Sequence, residues 1–216
     1  AGVPLVEMVT KPDFRSPAEA KKFLQEIRLI ARYLGVSEAD MEKGQMRCDA
    51  NISLRPIGDI KFYPKTEVKN MNSFRSVEKA LAFEIDRQKA LWGEAKQPTE
   101  STTRGWSDEQ EVTLMQRSKE QSNDYRYFPE PDLPRVAITP EEVESARIAL
   151  PELPHDKRVR FQQEYELSYG DAEVLSADQA VATYFENTVS ELKAWLEASG
   201  EVEGSTEEMW QKSGKK

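Results

Sequence analysis

Apolar residues recur along much of this chain at the spacing of helices. Ser16-Pro17-Ala18-Glu19 has the form of a capping box with proline at the first helical position. Ala20, Phe23, Leu24, Ile27, Ile30, Ala31 and Leu34 then follow three or four apart, and Gly35 supplies a stop. The opposite face carries Lys21, Lys22, Glu26 and Arg32 and is expected in solvent. A second helix is predicted from Asn72 or Ser73 to Gly93, with Phe74, Val77, Leu81, Ile85 and Trp92 as its core stripe.

Between these helices the period changes to two. In Arg47 to Arg55, Cys48, Ala50, Ile52 and Leu54 share one face; Arg47, Asp49, Asn51, Ser53 and Arg55 share the other. Thr66 to Met71 alternates as well and places Glu67 with Lys69. Leu5-Val6-Glu7-Met8-Val9 and Tyr125-Arg126-Tyr127-Phe128 are two further strand candidates. The expected fold is α+β. It has an antiparallel sheet with helices on one face and a polar second face, followed by an all-α region.

From residue 139 the pattern is helical throughout. Thr139-Pro140-Glu141-Glu142 and Ser176-Ala177-Asp178-Gln179 resemble capping boxes. Stripes follow at Val143, Ala146 and Leu150, at Val181, Tyr184 and Phe185, and at Val189, Leu192, Trp195 and Leu196. Glu201 to Lys216 carries no such pattern and is expected to fray.

Charge divides the chain at about the same place. Residues 1–135 hold 22 basic and 22 acidic side chains, and residues 136–216 hold 8 and 17, so the whole formal charge of -9 falls on the last 81 residues. Two domains are therefore expected, 1–135 and 136–216, with the boundary beside the proline-rich stretch Phe128 to Pro134. An acidic surface that keeps helices in solution accounts for the second. Nonspecific nucleic-acid binders are usually basic, so composition alone argues against one. Hydrophobic residues make up 38% of the 216, enough to bury a core. No apolar run approaches the 18 or more residues of a membrane span. One cysteine, Cys48, excludes an internal disulfide; one histidine, His155, excludes a metal site built on histidines. A cytoplasmic location is the default expectation. An apolar opening without methionine and an unpatterned end make the chain read as a piece of something longer.

The polar sheet face is the place for chemistry. If the two strands pair in a suitable register, Asp49, Asn51, Glu67 and Lys69 converge. Carboxylates beside a carboxamide are hard oxygen ligands of the kind Mg²⁺ accepts together with phosphate oxygens. Lys69, Arg47 or Arg55 would neutralise phosphate charge. Such a set suits phosphoryl transfer, where positioning and electrostatics carry the reaction. The competing reading is a solvated face whose charges pair across strands for about 0.2–1 kcal/mol each. Glu7, inside an apolar run, needs a partner, a metal or an edge in water. Nucleotide-loop, dinucleotide-binding, CxxC and HExxH patterns do not occur. Cys48 points into the predicted core and reads as a structural thiol; His155, in Pro154 to Arg158, reads as a surface or capping residue.

Four blocks resemble one family. Gly2-Val3-Pro4-Leu5-Val6-Glu7-Met8-Val9-Thr10-Lys11-Pro12-Asp13 is similar to a segment of GatB, a component of the aspartyl/glutamyl-tRNA(Asn/Gln) amidotransferase complex GatCAB. So are Met46 to Pro56 and Glu67 to Phe74, and Asp124-Tyr125-Arg126-Tyr127-Phe128-Pro129-Glu130-Pro131-Asp132-Leu133 is the most specific. Lys43 and Gln45 depart from the usual acidic and small residues. Beyond residue 140 the likeness thins to Asp171-Ala172-Glu173-Val174-Leu175, and it ends after Gly200.

The resemblance implies a reaction and a set of partners. The family converts Glu-tRNA(Gln) to Gln-tRNA(Gln), and often Asp-tRNA(Asn) to Asn-tRNA(Asn). In the complex, the glutaminase GatA releases ammonia from glutamine, and GatC is a small stabilising partner. GatB uses ATP and Mg²⁺ to phosphorylate the side-chain carboxylate of the misacylated tRNA, and ammonia then displaces phosphate. Its fold would be a cradle similar to the glutamine synthetase catalytic domain, incomplete here at its N-terminus, followed by a truncated helical domain that contacts tRNA. On that reading Asp49, Glu67, Lys69 and Asn70 are the catalytic candidates. Arg47, Asn51 and Arg126 are candidates for nucleotide binding, and Glu7, Asp49 and Glu67 for the metal. Lys157, Arg158 and Arg160 are candidates for tRNA, the competing reading being that they offset the neighbouring Glu152, Asp156 and Glu164. The further ligands of the family's early segment are expected outside this sequence, and no membrane is involved. A noncatalytic tRNA-binding or assembly module on the same scaffold is the alternative function. A small-molecule ligase of the glutamine synthetase type is a more distant one.

Overall fold

The computed structural model describes residues 3–118 and 131–199. The chain divides into two compact units, one of residues 1–28 with 37–139 and the other of residues 29–36 with 140–216.

The first unit opens with residues 3–15 in neither helix nor strand. Val3, Leu5, Val6 and Val9 are exposed there, as is Glu7. The strand expected over Leu5–Val9 is therefore corrected: among the described residues no strand pairs with it, so alternation alone does not make it a ladder. Helix α1, Pro17–Tyr33, follows. Its capping box closes reciprocally, with Glu19 N–H donating to Ser16 Oγ at 3.2 Å and Ser16 N–H to Glu19 Oε2 at 3.1 Å. Gly35, at φ 64°, takes the left-handed conformation that ends it.

Strands β1, Ala50–Ile52, and β2, Thr66–Lys69, precede helix α2, Phe74–Gly93. Strands β3, Thr102–Ser107, and β4, Val112–Ser118, complete a four-stranded sheet in the order β1-β2-β3-β4. β1 pairs antiparallel with β2 and β3 with β4, but β2 and β3 run parallel. The expected purely antiparallel sheet is thus a mixed one. The reason is the connection: parallel neighbours need a long crossover, and α2 is that crossover. The strand candidate Tyr125–Phe128, and Arg126 with it, lies outside the described residues.

α2 begins where Ser73 Oγ accepts the Ser76 N–H at 3.0 Å, as an N-cap should. Its buried face holds Ser76, Val77, Ala80, Leu81, Glu84 and Gln88. Val77, Ala80 and Leu81 pack with Val68, Met71, Met41 and Trp106, and Cys48, Ala50 and Ile52 join from the sheet's predicted apolar face. Burial pushes the Cys48 thiol up to about 11, with the Asp49 charge adding to the effect, so it stays protonated and structural. The other end of the α2 interface is polar, which the expected Ile85–Trp92 stripe does not convey. Glu84, without exposed surface, accepts from Arg87 Nε at 2.9 Å, Thr113 Oγ1 at 3.0 Å and Gln88 Nε2 at 3.1 Å. Gln88 also reaches Thr66 Oγ1 at 3.3 Å, and Arg104 donates to Thr113 Oγ1 at 2.8 Å. Burial pushes the Glu84 carboxyl up, but hydrogen bonds from Arg87, Gln88 and Thr113 and the Arg87 charge outweigh it and hold it below its ordinary value.

The second unit contains α3, Pro140–Ile148, α4, Pro154–Glu164, α5, Tyr169–Leu175, and α6, Gln179–Ser199. Phe161, Ala172 and Ala182 form its core with Tyr165, Leu167, Leu175 and Phe185 around them. The Phe161, Tyr165 and Phe185 rings stand 5.1–5.4 Å apart in tilted and edge-on pairs, the arrangement their quadrupoles favour. Tyr33 donates to the Ser176 carbonyl at 2.9 Å.

Three expectations for this unit are corrected. No residue of α3 is buried, so its predicted stripe of Val143 and Ala146, with Leu150 beyond the helix end, is exposed. On α6 the buried line is Ala182, Val189 and Leu196, while Val181, Tyr184 and Trp195 face outward. The small Ala182 sits against Phe161, a position that a hydrophobicity count overlooks. The cap of α6 is also different from the expected Ser176 box. Asp178 Oδ1 accepts from Ala180 N–H at 2.8 Å and Val181 N–H at 3.1 Å, and buried Ser176 ends α5.

Candidate active site

Register decides which polar side chains meet on the outer sheet face. Asn51 stands opposite Glu67 across β1 and β2, and Thr103 stands opposite Glu67 across β2 and β3. Lys69 lies opposite Gly105. Strand alternation therefore brings Asn51, Glu67, Lys69 and Thr103 to one face, with Asp49 just before β1.

The side chains are tied together there. Lys69 Nζ donates to Asp49 Oδ2 at 2.6 Å and lies 3.6 Å from Glu67 Oε1. Thr103 Oγ1 donates to Glu67 Oε2 at 3.2 Å. The Asp49 hydrogen bond, opposed by partial burial and aided by the charges of both carboxylates, raises the Lys69 pKa. The lysine stays a cation, fixed between two anions. Asn51 and Asn70 are exposed beside it, and Asn70 takes φ 63°, a left-handed conformation asparagine tolerates better than most residues.

Gly105 has a spatial role on this face. A Cβ built on it would collide with Gln116 Nε2 and come within 3.0 Å of Asn70 Nδ2. Its φ is not positive, so the need is for room rather than for a special backbone conformation.

The sequence candidates sort unevenly. Asp49, Asn51, Glu67, Lys69 and Asn70 lie on or beside the same strand pair. Arg47 is exposed just before them, and Arg55 turns to its own loop, donating to the Ile60 carbonyl at 3.3 Å. Glu7 lies on the exposed irregular segment before α1. Among the described residues no three of His, Cys, Asp and Glu are grouped so as to hold a metal ion, so the expected set of Glu7, Asp49 and Glu67 is not assembled as a metal centre. The donor chemistry gives the same answer, because the Lys69 ammonium occupies the position between the two carboxylates. These residues alone do not fit Mg²⁺.

Lys157, Arg158 and Arg160, the candidates for tRNA, are paired rather than open, as the competing reading has it for Lys157 and Arg160. Lys157 and Arg158 are 8% and 7% exposed. Lys157 reaches Glu186 at 2.8 Å and Glu152 at 2.9 Å; Arg160 reaches Glu152 at 2.7 Å, Glu164 at 3.0 Å and Glu186. Their three-residue spacing does put Lys157 and Arg160 on one face, but that face closes over acids from α6 and from the segment before α4.

Thr103 and Gly105 escape the sequence reading because β3 and β4 are not among its strands. A signal is present: two short runs containing threonine, tryptophan and valine flank the polar turn Asp108-Glu109-Gln110-Glu111.

Comparison with known proteins adds an independent line. Residues 1–144 match the family described as the GatB/GatE catalytic domain. The chain is 49% identical over 190 residues to the aspartyl/glutamyl-tRNA(Asn/Gln) amidotransferase B subunit of Rippkaea orientalis, covering 88% of this chain and 38% of that protein. The protein of the same name from Thermomicrobium roseum is 50% identical over 190 residues, covering 88% and 39%. That from Roseiflexus castenholzii is 49% identical over 191 residues, with the same coverage of 88% and 39%. The chain thus spans about two fifths of the length of these relatives. By the match over residues 1–144 and the identity of 49–50% to these B subunits, the chain belongs to the GatB/GatE catalytic-domain family.

Proposed function

We propose that this chain is part of the GatB component of an ATP-dependent tRNA amidotransferase. In the proposed reaction, the carboxylate of a misacylated Glu-tRNA(Gln) or Asp-tRNA(Asn) attacks the γ-phosphorus of ATP. An acyl phosphate forms and ADP leaves. Ammonia then attacks the acyl carbon, the C–O bond to phosphate breaks, and the nitrogen loses a proton to give the amide. The ammonia would come from a glutaminase partner, GatA, with the small GatC completing the complex. Mg²⁺, when bound, would offset the charge of the phosphates, with ligands beyond those of this sheet face.

The observation that carries the reading is the half-buried Lys69 ammonium held between Asp49 and Glu67 on the polar sheet face. An ammonium has three N–H donors. Asp49 takes one at 2.6 Å, and the longer Glu67 approach leaves donor capacity for a phosphoryl oxygen. A cation already fixed in place stabilises charge that develops during transfer without reorganising first. Asn51 and Asn70 add neutral amide donors and acceptors at the rim. Arg47 and Arg126 extend the reading as candidates for nucleotide phosphates.

The test is made in the full-length protein together with its partners. Glu67→Gln and Lys69→Ala should lower ATP-dependent amidation by about 10²–10³ while glutamine hydrolysis without tRNA stays intact. Rates within twofold of wild type for both variants would remove this face from the chemistry. Mg²⁺-dependent ATP hydrolysis stimulated by Glu-tRNA separates this reading from a noncatalytic tRNA-binding module. Amidation of free glutamate would indicate a small-molecule ligase instead.

A further inference from the structure

Glu67 is held from two sides, and the second side comes from a strand that the chemistry above does not use. Thr103 lies directly across from Glu67 in the parallel β2–β3 pair, and its Oγ1 donates to Glu67 Oε2 at 3.2 Å. Lys69 approaches the other oxygen, Oε1, at 3.6 Å. Thr103 is 1% exposed and the Glu67 side chain is 15% exposed. A buried hydroxyl with a fixed χ1 is a more rigid guide than a solvated one, because threonine is stiff at Cβ and water competes little for its proton.

From this geometry we infer that Thr103 is a positioning residue for the amidation reaction, acting through Glu67. The inference rests on the proposed role of Glu67. Lys69 sets the charge environment of the carboxylate, and Thr103 sets which way its oxygens face. With Oε2 engaged by the hydroxyl, Oε1 is the oxygen turned to Lys69. Without the hydroxyl, the carboxylate loses the contact that fixes Oε2, and the torsional preference about its last bond is broad. The side chain then spends less time in the productive orientation, and misplacement on the ångström scale is costly to catalysis. Strand geometry explains why β3 suits this task. A direct cross-strand neighbour fixes the separation of the two side chains through the backbone ladder rather than through a loop.

The experiment uses the full-length protein in its complex and compares Thr103→Val, Thr103→Ser, Glu67→Gln and the double variant Thr103→Val/Glu67→Gln. Amidation rates at saturating ATP and aminoacyl-tRNA are measured together with thermal midpoints. Valine keeps the shape and removes the donor, and should lower the rate about tenfold. Serine keeps the donor and should return it to within about threefold of wild type, even if the lost methyl lowers the midpoint. The double variant should be no slower than Glu67→Gln alone, because Thr103 then has no carboxylate to direct. A valine variant within twofold of wild type overturns the inference. So does a serine variant as slow as valine, or a double variant whose losses multiply. If Glu67→Gln itself runs within twofold of wild type, the functional reading of Glu67 fails, and the inference falls with it.

Discussion

Asp49 and Lys69 are joined across the β1–β2 pair at 2.6 Å, twenty residues apart in sequence. Asp49 is about half exposed, so the pair contributes little to stability; exposed pairs of this kind are worth about 0.2–1 kcal/mol. What it fixes is the position of the ammonium. Asp49→Asn should therefore leave the thermal midpoint within about 2 °C of wild type while lowering amidation in the full complex about tenfold. A large loss of stability with unchanged turnover would make the pair structural.

Glu84 is predicted to matter for folding in a way its sequence neighbours do not suggest. It accepts from Arg87, Gln88 and Thr113 and lies 3.7 Å from Arg104. Glu84→Ala strands these donors under α2 and should cost about 3–5 kcal/mol. Glu84→Gln, which preserves shape and some hydrogen bonds, should cost less. Urea unfolding followed by tryptophan fluorescence reads this, since Trp106 lies in the same unit. A loss below about 1 kcal/mol for the alanine variant would contradict the network's role.

The ion cluster of the second unit predicts a pH dependence. Hydrogen bonds from Arg160, opposed by burial and joined by those from Lys157, bring the Glu152 carboxyl from its ordinary 4.5 down to about 2. A group whose folded pKa is depressed stabilises the fold above its unfolded pKa and loses that contribution as pH falls through the folded one. Stability should thus decline between about pH 4.5 and 2 as Glu152 is protonated. In Glu152→Gln this part of the decline should be absent. Helix loss followed by circular dichroism down to pH 2 checks it, and identical acid profiles for both proteins would refute it.

Gly105 predicts a steric coupling. Gly105→Ala should push the Gln116 amide aside and crowd Asn70, at a cost of about 1 kcal/mol. Adding Gln116→Ala should recover most of that cost, because the new methyl then enters vacated space. Thermal midpoints of the two single variants and the double variant measure this. Strict additivity would mean that the two positions do not meet.

Local signals were enough to determine a good part of this molecule. The Ser16/Glu19 cap and Gly35 stop bound α1 as predicted, because capping uses only residues a turn apart. The α2 boundaries were equally legible, and alternation in Arg47–Arg55 assigned Cys48, Ala50 and Ile52 to the core. The same period-two rule put Glu67 and Lys69 on one face before any pairing was known. It also suggested a strand at Leu5–Val9, where the described structure has none, because alternation specifies faces and does not supply a partner.

Tertiary structure decided what lies between elements. The parallel β2–β3 pairing follows from the α2 crossover, and it alone brings Thr103 to Glu67 over 36 residues. The buried Glu84 network is similar: a charged residue on a helix reads as solvated until the sheet opposite supplies Thr113 and Arg104. For Lys157, Arg158 and Arg160 the sequence leaves open both tRNA contact and offset of neighbouring acids, because it displays charge without the distant segments that pack against it. Folding brings Glu186 from α6 and Glu152 from the preceding segment against Lys157 and Arg160, and burial with paired carboxylates replaces exposure. The physical reason is common to all three cases. Helix caps and strand faces are set by contacts within a few residues, whereas the partner of a polar side chain is set by which distant segment packs against it.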